Sequence, residues 1–142
     1  MKKPITTIIF VLFSILSGGC SAGCDHMQER PAGQSDVIAL ACDPIPVVRV
    51  GFIGLGMRGI GAVERFMPLD SVEVVALCDL EAENLARSQA VLREKAKPEA
   101  AEYMGPEGWK RLCERPDIDL VYISTDWLSH TPMAVYAMEQ GK

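Results

Sequence analysis

The sequence predicts an α/β fold, a doubly wound parallel sheet with helices on both faces. Two apolar, β-branched segments each end in residues typical of a ligand-binding turn, the first in three glycines and the second in an aspartate. Apolar segments of strand length then alternate with segments of helical periodicity along the rest of the chain. This alternation is typical of a parallel sheet, for which we expect the strand order 3-2-1-4.

The first strand is predicted from Val47–Ile53, which runs directly into the turn Gly54-x-Gly56-x-x-Gly59. A strand, these glycines and then a helix form the Rossmann dinucleotide-binding fingerprint. Gly54 permits the tight turn, and Gly56 lacks the Cβ that would hold a pyrophosphate away from the backbone. Gly59 lets the following helix pack closely on the strand. The glycines therefore predict a Rossmann-type sheet that binds a dinucleotide.

The first helix is predicted over Gly59–Met67 and is ended by Pro68. Backbone N–H groups near the start of this helix, around Met57 and Arg58, have no partner within the helix. They are expected to face the phosphates together with the positive end of the helix dipole.

The second strand is predicted over Ser71–Asp79 and ends in a carboxylate. An acidic residue about 20 positions after the glycines commonly accepts hydrogen bonds from the ribose hydroxyls. Asp79 fits that position, and its charge would repel a 2′-phosphate, so NAD is favoured over NADP as the cofactor. The alternative is that Asp79 caps the next helix.

The remaining elements are predicted from periodicity and from prolines and glycines. They are a helix over Glu81–Lys97, a short edge strand over Ala101–Met104, a helix over Glu107–Arg115, a strand over Leu120–Ser124 and a helix over Thr131–Gln140. In the first of these helices the apolar stripe comprises Ala82, Leu85, Ala86, Leu92 and Ala96. Asp117 and Asp119 precede a strand at the end away from ligands, which favours a polar turn over a catalytic pair.

The segment Thr125–His130 follows the carboxyl end of a strand, where ligands bind in open α/β sheets. Ser129 is predicted to cap the helix that follows. Trp127, Leu128 and His130 are therefore expected on a loop beside the cofactor groove. Two alternatives remain open, a packed loop aromatic for Trp127 and an ordinary first-turn helical residue for His130.

The amino-terminal end predicts an exported protein. A basic start, Met1–Lys3, precedes the apolar run Ile5–Leu16, which is too short to span a bilayer but typical of a signal peptide. The small residues that follow resemble a bacterial lipobox and end in Cys20, the predicted site of lipidation and membrane anchoring. An ordinary cleaved signal, or lipidation at Cys24, are the alternatives.

Three parts of the chain are thus expected: a lipoprotein-type signal peptide over residues 1–20, a flexible tether over 21–46 and the dinucleotide-binding domain over 47–142. The 49% hydrophobic content supplies a core, and a net charge of −5 without a basic patch argues against nucleic acid as a partner. The cysteine spacings match no metal site. Cys78 and Cys113 are interpreted as core thiols, although export also permits a disulfide.

Several short motifs together resemble the Gfo/Idh/MocA superfamily of glucose–fructose oxidoreductases and inositol dehydrogenases. They are Gly54–Gly59, Cys78-Asp79, Asp119–Ile123, His130, Met133-Ala134 and Gly141-Lys142. More narrowly, Gly-Met-Arg-Gly at 56–59 and Thr-Asp-Trp-Leu-Ser-His at 125–130 resemble glycoside hydrolase family 109, the NAD-dependent α-N-acetylgalactosaminidases. The exported leader is also similar to that of the bacterial family.

The resemblance implies that Met57 and Arg58 contact the cofactor phosphates, that Asp79 binds the adenosine ribose, and that Trp127–His130 lies against the dinucleotide. It also implies glycoside cleavage by transient oxidation at sugar carbon 3, elimination, hydration and re-reduction. A sugar dehydrogenase of the superfamily, or a non-catalytic nucleotide-binding fragment, are the alternatives. The family's further strand and sugar-binding domain are expected after Lys142, so no catalytic residue is assigned and the oligomeric state stays open.

Overall fold

The computed structural model describes residues 41–142. The predicted signal peptide with Cys20, and the tether up to residue 40, lie outside the described residues. Asp43–Lys142 form one compact unit. Within the described part of the chain, no helix combines the length and apolar character needed to cross a membrane.

Strands and helices alternate along this unit. They are β1 (Val48–Ile53), α1 (Met57–Phe66), β2 (Val72–Asp79), α2 (Ala82–Glu94), β3 (Ala101–Met104), α3 (Gly108–Cys113), β4 (Leu120–Ile123) and α4 (Trp127–Glu139). The sheet has the order β3-β2-β1-β4, and each neighbouring pair is parallel. The predicted α/β class and strand order are therefore confirmed. Because the strands are parallel, their carboxyl ends meet at one edge of the sheet.

Two apolar layers cover the two faces of the sheet. One layer, around Phe52, Leu77 and Val63, packs α1 and α2 against the sheet. The other, around Ile53 and Leu112, packs α3 and α4 against the opposite face. Successive residues of β1 point to opposite layers because side chains alternate along a strand. The sheet is thus doubly wound, as predicted.

Helix α2 packs through a different stripe from the one predicted. Leu85 and Leu92 are buried as expected, whereas Ala82, Ala86 and Ala96 are exposed and α2 ends at Glu94. Ser88 and Gln89 are buried in their place. The Gln89 amide bonds the backbone of Ala100 on both sides, donating to its oxygen at 2.6 Å and accepting from its nitrogen at 3.2 Å. These bonds offset the cost of burying the amide.

Arginine–aspartate pairs stabilise the amino edge of the sheet. Asp119 accepts from the Arg49 guanidinium at 2.8 and 3.0 Å and from the Arg49 backbone N–H at 2.9 Å. These bonds lower the pKa of Asp119 to about 2. The Arg115 guanidinium likewise pairs with Asp117, and its Nε donates to Oδ1 of Asp117 at 2.7 Å. Both carboxylates are held in structural pairs, away from the carboxyl edge.

Candidate functional site

The glycine turn lies at the carboxyl edge of the sheet, between β1 and α1. Gly54 has a positive φ of 83°, a conformation that residues with a Cβ rarely adopt. A Cβ at Gly59 would lie 1.9 Å from the Gly54 oxygen, so α1 approaches β1 too closely for any other residue. A Cβ at Gly56 would meet no protein atom within 4 Å. The space above Gly56 is therefore open to a ligand, as the fingerprint requires.

The first turn of α1 faces the same open space. Its capping position is Gly56, which has no side chain to bond the free N–H groups of the turn. No acidic residue lies in that turn, and the side chains of Met57 and Arg58 are exposed. A helix start of this kind favours a phosphate or another anion.

The carboxylate of Asp79 is fixed by three hydrogen bonds at the end of β2. Oδ2 accepts from the backbone N–H of Leu55 in the glycine turn at 2.5 Å. Oδ1 accepts from the backbone N–H of Glu81 at 2.9 Å and from the Asn84 amide at 3.0 Å. A carboxylate oxygen has two lone pairs, so Oδ2 can still accept one ribose hydroxyl. The cap position of α2 is Glu81, so Asp79 contacts the start of α2 without capping it and has an acceptor free for a ligand.

Ser124, directly after β4, contacts the glycine turn from the other side. Its hydroxyl donates to the Gly54 oxygen at 2.8 Å. This contact joins residues 70 positions apart in sequence, and no local pattern identifies it. Ser124 is the residue of this site that sequence reasoning missed.

The segment after β4 differs from the prediction. Residues from Trp127 onward belong to the first turn of α4 rather than to a loop. The cap is Asp126 and not Ser129, because the Asp126 carboxylate accepts from the N–H groups of Leu128 and Ser129. Hydrogen bonds donated by Ser129, and to a smaller extent by Leu128, lower the pKa of Asp126. An aspartate before a helix is itself a common cap, so the signal was present in the sequence.

Two open cavities flank the glycine turn. A cavity of about 550 Å³ contains Gly54, Asp79 and Ser129 in its lining, with Trp109 and Met133 as apolar walls. A groove of about 780 Å³ lies on the other side and is lined in part by Met57, Arg58, Trp127 and His130. Thr125 borders both spaces, and its buried hydroxyl has no hydrogen-bond partner.

The predicted site residues therefore gather around one turn but divide between two spaces. Within residues 41–142, Trp127 and Leu128 are 96% and 89% exposed, so this part of the chain does not bury the Trp127 ring. Leu128 lines neither space. His130 is exposed in the first turn of α4, beside the larger groove.

The remaining titratable groups near the sheet have structural surroundings. Cys78 and Cys113 are buried and unpaired, and burial raises the pKa of their thiols to about 12 and about 11. Their interpretation as core thiols is confirmed. Among residues 41–142, no group of histidines, cysteines and carboxylates is arranged to hold a metal ion.

Comparison with known proteins gives a consistent result. Over 136 residues the chain is 60% identical to a Bacteroides fragilis protein named Glycosyl hydrolase family 109 protein 1, covering 92% of this chain and 29% of that protein. It is 54% identical over 113 residues to a Bacteroides fragilis Alpha-N-acetylgalactosaminidase, covering 80% of this chain and 27% of the relative. The chain thus spans less than a third of the length of these relatives. No family model matches it.

A solved structure is also similar. It is the myo-inositol dehydrogenase of Lactobacillus casei in complex with NAD(H) and myo-inositol, with a TM-score of 0.54 and 30% sequence identity. The match covers 66% of this chain and 26% of that one. The resemblance inferred from the glycine turn, Asp79 and the segment at 125–130 is thereby confirmed: over the matched residues this chain is a relative of the glycosyl hydrolase family 109 proteins.

Proposed function

We propose that this chain is the NAD-binding half of a glycosidase that cleaves α-N-acetylgalactosaminides. The observation that carries the proposal is the turn at the carboxyl end of β1, where an open Gly56 and an uncapped helix start lie beside Asp79. These residues fit a dinucleotide, since they offer N–H groups to its phosphates and a carboxylate to its ribose. The similarity to an Alpha-N-acetylgalactosaminidase supports the substrate class.

In this proposal each residue has a binding role. Backbone N–H groups of Met57 and Arg58 bind the pyrophosphate, and Oδ2 of Asp79 accepts a ribose hydroxyl. The 550 Å³ cavity, with Trp109 and Met133 as apolar walls, receives the adenine. His130 and Trp127 border the groove on the far side, where the reactive end of the cofactor would lie. Bound NAD would supply reversible oxidation at sugar carbon 3, which permits elimination and hydration before re-reduction.

Asp79 also supports the choice of NAD over NADP. Its Oδ2 is turned toward the glycine turn by the Leu55 N–H, which places negative charge where a 2′-phosphate would lie. Glu81 and Asp126 line the same cavity and add two further carboxylates. Repulsion between like charges in one cleft opposes the additional phosphate.

The test is an assay of the full-length protein on an α-N-acetylgalactosaminide without added NAD. A glycosidase that recycles bound NAD should release the aglycone with no net change in NADH absorbance. The similarity to a myo-inositol dehydrogenase favours a second candidate, a sugar dehydrogenase that consumes NAD. Net accumulation of NADH without a released aglycone would support that candidate and contradict the glycosidase.

We also propose that the protein is exported and anchored to a membrane through a lipid on Cys20. The support is the sequence alone, a basic start and a twelve-residue apolar run followed by small residues and a cysteine. A glycan substrate outside the cell would suit an enzyme held at the surface or in the periplasm.

A further inference from the structure

We propose that Ser124 is a positioning residue for cofactor binding, because it holds one side of the phosphate-binding turn while Asp79 holds the other. This inference rests on the proposed dinucleotide-binding function. It assigns a role to a residue that the proposed arrangement leaves without one and that also borders the 780 Å³ groove.

The side chains of Ser124 and Asp79 hydrogen-bond to the same peptide group. The carbonyl oxygen of the Gly54–Leu55 peptide accepts from the Ser124 hydroxyl at 2.8 Å. The N–H of that same peptide donates to Oδ2 of Asp79 at 2.5 Å. We call this three-part arrangement the peptide clamp: the Ser124 hydroxyl, the Gly54–Leu55 peptide and the Asp79 carboxylate. It crosses three strands, because Asp79 ends β2, Ser124 follows β4, and the peptide follows β1 between them.

The turn needs such support because its backbone is unusual. Gly54 has a φ of 83°, and a Cβ there would lie 2.7 Å from the backbone carbonyl oxygen of Ser124. A glycine has many other conformations available, so the chain would lose this one readily if nothing fixed it. A peptide plane held at both its N–H and its C=O cannot rotate without breaking a hydrogen bond.

The clamp also links the ribose site to the phosphate site. Hydrogen bonds arranged in a chain polarise one another, so the Ser124 bond to the carbonyl strengthens the N–H bond to Asp79. The plane of this peptide determines where the next residues, Gly56 and Met57, present their backbone to the phosphates. Removing the Ser124 hydroxyl should therefore weaken ligands that contain phosphates more than adenosine alone.

The experiment measures calorimetric affinities of the full-length protein for adenosine, ADP and NAD. With Ser124→Ala we expect ADP and NAD to bind about three- to tenfold more weakly, the range for one hydrogen bond, and adenosine to change by less than about twofold. The matched control is Asn84→Ala, which removes a bond to Oδ1 of Asp79 on the side away from the turn. That variant should weaken adenosine, ADP and NAD by the same factor.

A double-mutant cycle with Asp79→Ala tests the shared peptide. If Asp79 is already absent, Ser124→Ala should cost a smaller factor in ADP affinity than it does in the unaltered protein. Equal factors in both backgrounds would overturn the clamp, as would an equal loss for adenosine and ADP. If Ser124→Ala does not fold, Ser124→Thr is compared with Ser124→Cys, because threonine keeps the hydroxyl donor and a thiol is a weak donor. Tighter ADP binding by the threonine variant supports the clamp, and the reverse order overturns it.

Failure of the proposed function gives a different result. An unaltered protein that binds neither ADP nor NAD would overturn nucleotide binding itself. An unaltered protein that binds both, beside a Ser124→Ala variant with the same affinities, would overturn the clamp alone.

Discussion

Three glycines of one turn and helix should respond to alanine in three different ways. At Gly59 the added Cβ would lie 1.9 Å from the Gly54 oxygen and 2.8 Å from the Gly54 carbonyl carbon. At Gly56 it would meet nothing within 4 Å, and at Gly61 it would meet the Arg65 side chain at 3.4 Å, an ordinary contact. The same chemical change is therefore a clash, an obstruction of ligand space or a harmless addition, depending on position.

The magnitudes follow from these distances. Overpacking costs about 1–3 kcal/mol and more where backbone must move, whereas alanine in a helix interior gains about 1 kcal/mol over glycine. Gly59→Ala should thus be destabilised by about 2 kcal/mol or more, since α1 must shift away from β1. Gly61→Ala should be stabilised by up to about 1 kcal/mol. Gly56→Ala should change stability by less than about 1 kcal/mol, because its φ of −60° suits alanine.

The assays are urea unfolding of each full-length variant and calorimetry with NAD. Gly56→Ala should keep the stability of the unaltered protein and lose at least about tenfold in NAD affinity, because its Cβ occupies the space of the pyrophosphate. Gly61→Ala should keep the NAD affinity and lose no stability, and it is the matched control. A Gly56→Ala variant that binds NAD normally, or a Gly59→Ala variant as stable as Gly61→Ala, would refute the reasoning.

Three further outcomes are expected. Asp79→Ala should weaken NAD binding by about ten- to a hundredfold, the value of one charged hydrogen bond, as calorimetry would show. Equal affinity of the unaltered protein for NADP and NAD would contradict the role of Asp79 in selecting NAD. The Arg49 bonds hold the pKa of Asp119 at about 2, below its unfolded value of about 3.9. The pair therefore contributes stability above about pH 4 that is lost as pH falls toward about 2, and Asp119→Asn should show a smaller drop in urea midpoint on acidification. Cys20→Ser should release the protein from membranes into a soluble exported fraction, as fractionation would show; unchanged membrane association would contradict lipidation there.

The sheet could be predicted because its signals are local. β-Branched segments specify β1, β2 and β4, and the glycines with Asp79 specify the turn that follows β1. The strand order followed from that turn, since the fingerprint marks the first strand of a doubly wound sheet. Pro98 and Gly141 lie close beyond the ends of α2 and α4, as predicted, although α2 ends at Glu94.

The errors occurred where distant residues decide the outcome. Alanines gain little by burial, so Gln89 is buried in place of Ala82 and Ala86. Its amide is satisfied by the backbone of Ala100, directly before β3. Ser124 holds a carbonyl that lies 70 positions earlier, which periodicity cannot indicate. At the start of α4 both Asp126 and Ser129 are residue types that cap helices. Asp126 takes the capping position because it lies where the chain leaves the sheet.

The arginine–aspartate pairs have a consequence for protein engineering. Arg49 with Asp119 and Arg115 with Asp117 stabilise the amino edge of the sheet, whereas the glycine turn and Asp79 occupy the carboxyl edge. Substitutions that alter cofactor preference commonly lower stability. Here the loss can be compensated at the opposite edge, for instance by further ion pairs or shorter turns, without moving any group that faces a ligand. A laboratory evolution campaign could therefore treat robustness and cofactor choice as two separately adjustable traits of this domain.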